Sequence, residues 1–211
     1  MVMLYLDIEV DSQSEEPHLS DKIITIQYKE VLPRQRLVIL KKWDWEDEEK
    51  GERNIVQNFY DYLCEISQPG DTTTIIGFNI LRFDVLFLTY KLVYFGIDTL
   101  EHVLKKFRSV FWRDLRYCLY PLNKLSFQGL SEEEVAKKLG LKQPEPPSRE
   151  IPALYKRGEH DKIIEHIKSE FDFLGELNRK LAYELDDVIA CYKACGEPHE
   201  TCNLRYNKGW R

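Results

Sequence analysis

MVMLYLDIEV, residues 1–10, is a near-continuous apolar run broken by acids only at Asp7 and Glu9. A run of that kind from Val2 to Val10 reads as a central β-strand buried on both faces. Alternate side chains on a strand share a face, so Asp7 and Glu9 project to one side, about 7 Å apart along the chain. Two like charges there must be neutralised, protonated or turned to water, because burying an unpaired carboxylate is costly. A divalent metal ion meets the demand, and hard carboxylate oxygens suit Mg²⁺ or Mn²⁺. D-x-E is a common tripeptide, so simple solvation of both acids at a strand end stays open on this evidence alone.

Outward from that strand, a polar loop at 11–21 leads to KIITIQYK (22–29) and RLVILK (36–41), which read as two further strands of an antiparallel meander. The acidic stretch 43–51 reads as a surface loop. Asn54 can cap a helix in which Ile55, Val56, Phe59, Leu63 and Ile66 recur at helical spacing before Pro69 and Gly70. A fourth strand is expected at 72–78, a helix at 84–95 closed by Gly96, a basic helix at 100–107 and a fifth strand at 110–115. Ser131 and Glu134 form a capping box that opens a short helix ending at Gly140. Four prolines make 142–152 a loop, and a long helical pattern fills 160–195 until Gly196 and Pro198. A meander followed by alternating strands and helices predicts an α/β protein, a five-stranded mixed sheet flanked by helices.

At 211 residues the chain suits one domain over 1–185 with a helix end and tail at 186–211. Its 43% apolar, 12% aromatic and 31% charged residues are those of a folded globular protein. A net charge of −6 argues against a protein that coats nucleic acid non-specifically, since such binders usually carry a basic excess. It does not exclude an enzyme whose carboxylates hold metal while local Lys and Arg steer a phosphate backbone. The N-terminus shows no basic leader or cleavage site and no apolar stretch reaches membrane-spanning length, which predicts a cytoplasmic protein with no membrane partner. Five cysteines without a paired framework predict reduced thiols. Cys191, Cys195, His199 and Cys202 offer Zn²⁺ donors but lack a C-x-x-C pair, and an ordinary helix end is the plainer reading.

Two further acids complete a constellation with Asp7 and Glu9. In GFNILRFD (77–84) a strand ends at Gly77, Asn79 sits in the turn and Asp84 opens an apolar helix, where capping is its ordinary role. On the last helix, Ile163, Ile167, Glu170, Leu174, Leu177 and Leu181 share one stripe at about 100° per residue, whereas Asp172 falls on the solvated side. An acid in a core-facing stripe needs a partner, and a metal shared with Asp7 and Glu9 supplies one. His166, one turn earlier, points nearly the same way, and by itself reads as a satisfied interfacial histidine.

YLDIEV, KIITIQY, IIGFNILRFDVLFL and EHIKSEFDFLGEL together resemble the exonuclease motifs of DnaQ-like (DEDD) 3′-5′ exonucleases, most of all the proofreading domain of family-B DNA polymerases. The resemblance covers about residues 1–180 and implies a ribonuclease H-like fold. It further implies two Mg²⁺ or Mn²⁺ ions held by Asp7, Glu9, Asp84 and Glu170, and hydrolysis of single-stranded nucleic acid, DNA favoured, from its 3′ end. His166 takes the place of the family's tyrosine as the group that orients or deprotonates the attacking water. Phe78, Asn79, Leu81 and Phe83 would line the path of the strand. Lys105, Lys106, Arg108, Arg113 and Arg116 would be its basic guide. Asp114 has no role in this scheme. Glu170 stands where the family has Asp, so the other expectation is a decayed catalyst that still binds single strands or a replication or repair partner.

Overall fold

The computed structural model describes residues 1–195 apart from 13, 15, 16 and 46, and of 48, 49 and 183–195 it describes the backbone alone. Five strands form one sheet in the order β3-β2-β1-β4-β5: β1 (Val2–Asp11), β2 (Lys22–Leu32), β3 (Arg36–Lys41), β4 (Thr73–Gly77) and β5 (Phe111–Asp114). β1 pairs antiparallel with β2, and β2 with β3, while β4 and β5 run parallel to β1. The apolar opening run therefore lies in the middle of a mixed sheet, with hydrogen-bonded neighbours on both edges.

Around the sheet lie α1 (Glu48–Ile66), α2 (Asp84–Tyr94), α3 (Leu100–Arg108), α4 (Leu115–Leu119), α5 (Glu132–Leu139), α6 (Ile151–Lys156) and α7 (His160–Cys195). Strand alternation sorts β1 into two faces. Leu4, Leu6, Ile8 and Val10 pack with Val56, Phe59 and Leu63 of α1, Phe87 and Leu92 of α2, and Val103 of α3. Tyr5 belongs to the opposite core, with α4 to α7, where Ile163, Ile167, Phe171, Leu174, Leu177 and Leu181 of the last helix are buried. Asp7 and Glu9 share Tyr5's face, so they look toward α7. The β1–β2 register slips between Glu9 and Val10, leaving Ile24 outside the pairing. Ile23 thus packs into the first core and Ile24 into the second.

Several elements differ from the sequence expectation. The acidic stretch near residue 48 is helix rather than loop: α1 starts six residues before Asn54, and Asp47 caps it by accepting from the Lys50 N–H at 3.2 Å. Acids in a first helical turn are favourable there. α4 and α6 are short helices the sequence did not announce, the second arising at the end of the proline-rich stretch with Pro152 in its first turn. The capping box of Ser131 and Glu134 is present as read. No described helix is long and apolar enough to cross a membrane. Cys64 and Cys118 are free thiols. The backbone of α7 runs to Cys195, whereas the side chains of Cys191 and Cys195, and all of His199 and Cys202, lie outside the described residues.

Gly77, the last residue of β4, passes so close to β1 that a methyl group there would sit 2.8 Å from the Leu6 carbonyl oxygen and 2.8 Å from Ile80 Cδ1. The carbonyl belongs to the central strand and cannot yield. Gly77→Ala is expected to cost about 1–3 kcal/mol through overpacking, seen as a lower urea midpoint at unchanged slope.

Candidate active site

The site is built where β1 outruns its parallel neighbour. β4 pairs with β1 only as far as Tyr5, so beyond that point the strand edge is open to groups from the β4–α2 turn. Asp84, first residue of α2, fills that opening, and its carboxylate accepts from its own N–H and from that of Ile8. The other Asp84 oxygen, Oδ1, is buried without a hydrogen-bond partner. On the opposite edge, Gln27 faces Asp7 across the antiparallel pair and donates from Nε2 to Asp7 Oδ2 at 2.5 Å.

α7 delivers His166 and Glu170, one turn apart, beneath these acids. His166 has no solvent exposure, and Glu170 is 4% and Glu9 7% exposed. His166 Nε2 lies 2.9 Å from Glu9 Oε1 and 3.5 Å from Glu170 Oε2. Its other nitrogen, Nδ1, is 2.5 Å from the carbonyl oxygen of Pro146. The 145–146 segment is itself fixed to α7, since the Glu145 N–H donates to Ser169 Oγ at 2.9 Å. Asp172 points the other way: its carboxylate is 78% exposed and lies 3.6 Å from Lys29 Nζ.

A fifth acid, Glu132, joins the cluster. It opens α5 directly after the capping residue Ser131, and its carboxyl lies against that of Glu170. Sequence reading missed it because an acid in a first helical turn is ordinary. Nothing local says that this helix end abuts α7.

Packing so many carboxyls together has a predictable electrostatic result. Burial, then the Glu170, Asp84, Glu9 and Glu132 charges, pushes the Asp7 carboxyl well above the usual carboxylate range. Asp84 is also pushed well up, by burial first, with Glu170 adding to it against two backbone N–H groups. Glu132 rises for the same reasons, burial and then Glu170. Glu9 rises less steeply, since burial is countered by His166. Burial works against the His166 cation, but Glu9 and Glu170 more than offset it and push its pKa up to about 11. Without another cation, His166 is thus the internal positive charge of the cluster.

Of the residues expected to line a strand's path, Leu81 is exposed, while Phe78 and Phe83 are half-buried against Phe173 and Phe87. Asn79 adopts φ 58°, the left-handed region that Asn tolerates, and its side-chain oxygen accepts from Arg116 Nη1 at 2.9 Å. Two residues of the expected basic guide are held by the protein itself. Arg116 holds Asn79, whereas Lys106 donates to the Ser67 carbonyl, near the start of β4 and away from Gly77.

Asp114 gains a clear structural role. Its carboxylate accepts from the backbone N–H groups of Asn79 (3.0 Å), Leu81 (3.1 Å), Arg116 (2.9 Å) and Tyr117 (3.3 Å), which pins the 79–81 turn and caps α4 at once. Asp114→Ala strands those donors in a buried setting. It is expected to cost about 3 kcal/mol, with faster amide exchange at Asn79 and Leu81 as the local signature.

A groove of about 540 Å³, lined by Tyr5, Lys29, Lys142, Phe173 and Arg179 among others, lies further along the same sheet face. None of the five clustered acids lines it.

No protein-family model matches the sequence. No curated protein matches it either. Among solved structures, the family B DNA polymerase from the hyperthermophilic archaeon Pyrobaculum calidifontis superposes with a TM-score of 0.60 at 17% identity over 87% of this chain. The match takes in 25% of that polymerase, so the chain spans about a quarter of its length. At such identity the likeness establishes architecture, and with the strand order above it makes this an α/β protein of ribonuclease H-like fold, five mixed strands with helices on both faces.

Proposed function

We propose that residues 1–185 form a metal-dependent 3′-to-5′ exonuclease acting on single-stranded nucleic acid in the cytoplasm, with DNA favoured over RNA. The observation that carries this reading is the convergence of Asp7, Glu9, Asp84, Glu132 and Glu170 from one strand and three helices onto one partly buried cluster. Divalent cations fit that cluster. Asp84 Oδ1, Glu170 Oε2 and His166 Nε2 are buried polar atoms with no hydrogen-bond partner, and the carboxyls repel one another. Held by Asp7, Glu9, Asp84 and Glu170, two Mg²⁺ or Mn²⁺ ions would supply Lewis acidity at a phosphodiester and lower the pKa of an attacking water.

The chain's own groups would do the rest. Asp7 keeps partial exposure, and Gln27 holds its carboxylate in one orientation. Leu81, on the turn that Asp114 pins, or Phe78 just before it would contact a terminal base. His166 meets the cluster from inside the protein, where it steadies Glu9 and Glu170. Likeness to part of a DNA polymerase supports nucleic acid as the partner.

One observation favours a second reading. The His166 ring, 2.9 Å from Glu9 and with its pKa pushed up by Glu9 and Glu170, would as a cation neutralise part of the cluster, as a decayed catalyst that only binds single strands or a replication or repair partner would need. Digestion of 3′- and 5′-labelled single-stranded DNA, duplex DNA and RNA separates the two. The exonuclease reading expects stepwise shortening from the 3′ end of single strands, dependent on Mg²⁺ or Mn²⁺ and stopped by EDTA. Retention of the oligonucleotide in a gel shift without shortening in either ion establishes the second.

A further inference from the structure

We propose that Glu9, His166 and Glu170 form a mixed nitrogen–oxygen site in which His166 Nε2 directly ligates a first-row transition-metal dication in preference to Mg²⁺. The inference rests on the metal-dependent reading above and deepens it by naming the class of ion and a donor that is not a carboxylate.

Three observations support it. One ligand atom from each residue lies within 4.8 Å of the others, and all three residues are buried. Donor atoms bound about 2.1 Å from one ion stand roughly 3.0–3.4 Å apart, close to the 2.9 and 3.5 Å that separate Nε2 from the two carboxylate oxygens. Both Nε2, 2.9 Å from Glu9 Oε1, and Glu170 Oε2 are buried without a hydrogen-bond partner. Finally, Nδ1 lies 2.5 Å from the Pro146 carbonyl oxygen, which can only accept, so the Nδ1 proton is fixed and Nε2 is the nitrogen whose proton an incoming dication would displace to reach a lone pair. Donation from the second ring nitrogen to a backbone carbonyl is how ligating histidines are usually held and made more basic.

The chemistry of the donors sets the preference. Carboxylates and water satisfy Mg²⁺, but an imidazole adds affinity for first-row transition metals along the Irving–Williams series and little for Mg²⁺. Glu9 would be shared with the cluster that includes Asp7, and Glu170 with Asp84. A ligating Nε2 has no lone pair left to take a proton, so His166 would then be a positioning and binding residue and not the base.

The test uses the full chain stripped with EDTA and titrated with Mn²⁺, Co²⁺ or Mg²⁺ alone by calorimetry, with pulsed electron paramagnetic resonance of the Mn²⁺ form. Binding of Mn²⁺ and Co²⁺ at least about ten-fold tighter than Mg²⁺ is expected, with hyperfine coupling from an imidazole nitrogen. His166→Ala should lose that coupling and about 10- to 100-fold of Mn²⁺ and Co²⁺ affinity, while Mg²⁺ affinity changes little. The coupling is read on the unaltered protein, so the test stands even if the variant does not fold. Mn²⁺ bound without nitrogen coupling overturns the inference, and ion-dependent strand cleavage in the same sample would leave the exonuclease reading intact. Nitrogen coordination without cleavage upholds the site and counts against the exonuclease. No binding of any of the three ions overturns the inference.

Discussion

Asp7→Asn is expected to lower the rate of nucleotide release by on the order of 10³-fold or more, a loss of about 4 kcal/mol of transition-state stabilisation, while making the metal-free protein more stable. Both effects come from the same place. Asp7 is surrounded by Glu170, Asp84, Glu9 and Glu132, each of which, after burial, raises its carboxyl above the usual range. An amide removes that repulsion and keeps the bond to Gln27 Nε2 through its own oxygen. It cannot bind a divalent cation as a carboxylate does. A thermal midpoint a few degrees higher in EDTA, with cleavage lost in Mn²⁺, is the paired result, reflecting the usual exchange of stability for function. Cleavage kept within ten-fold of the parent would remove Asp7 from the metal site.

The second large effect concerns stability alone. Glu52 on α1 and Lys91 on α2 form a buried ion pair at 2.7 Å, with side chains 6% and 3% exposed. Glu52 Oε1 also accepts from the Ile23 N–H at 2.9 Å, and Lys91 Nζ donates to the Ser20 carbonyl at 3.4 Å. The pair thus joins two helices to the beginning of β2, with the rings of Tyr90, Tyr94 and Phe95 about the ammonium. Glu52→Ala abandons a buried charge and a backbone donor, and is expected to cost about 3–5 kcal/mol. In a protein of this size that lowers the thermal midpoint by on the order of 10 °C. Replacing both partners, Glu52→Leu with Lys91→Met, should recover most of the loss, because the attraction of a buried pair barely exceeds its desolvation cost. A double variant as unstable as the single one would mean that the Ile23 N–H, not the ammonium, is the group that suffers.

What could be read from sequence divides along physical lines. Period-two alternation put Asp7 and Glu9 on one face, and the structure has them there beside Tyr5. Helical periodicity separated Glu170 from Asp172, and the two point to opposite sides of α7. Those patterns are local, so they are visible in one dimension. Glu132 and Gln27 carried no such signal, because each matters only through a neighbour on another element. Asp114 stood in plain view in a short β-rich run, but its four donors come from two segments that the sheet alone brings together. The early start of α1 was hidden by acids that read equally well as loop.

The acid-bearing face of the central strand is covered by α7, the last of the described helices. During synthesis β1 and β2 leave the ribosome long before His166 and Glu170 exist, so the sheet can seal its first side against α1 and α2 while the second stays bare. A nascent chain of this kind leaves Tyr5, Ile24 and Ile76 uncovered by α7 until residues beyond 170 emerge, and the acid cluster is complete only then.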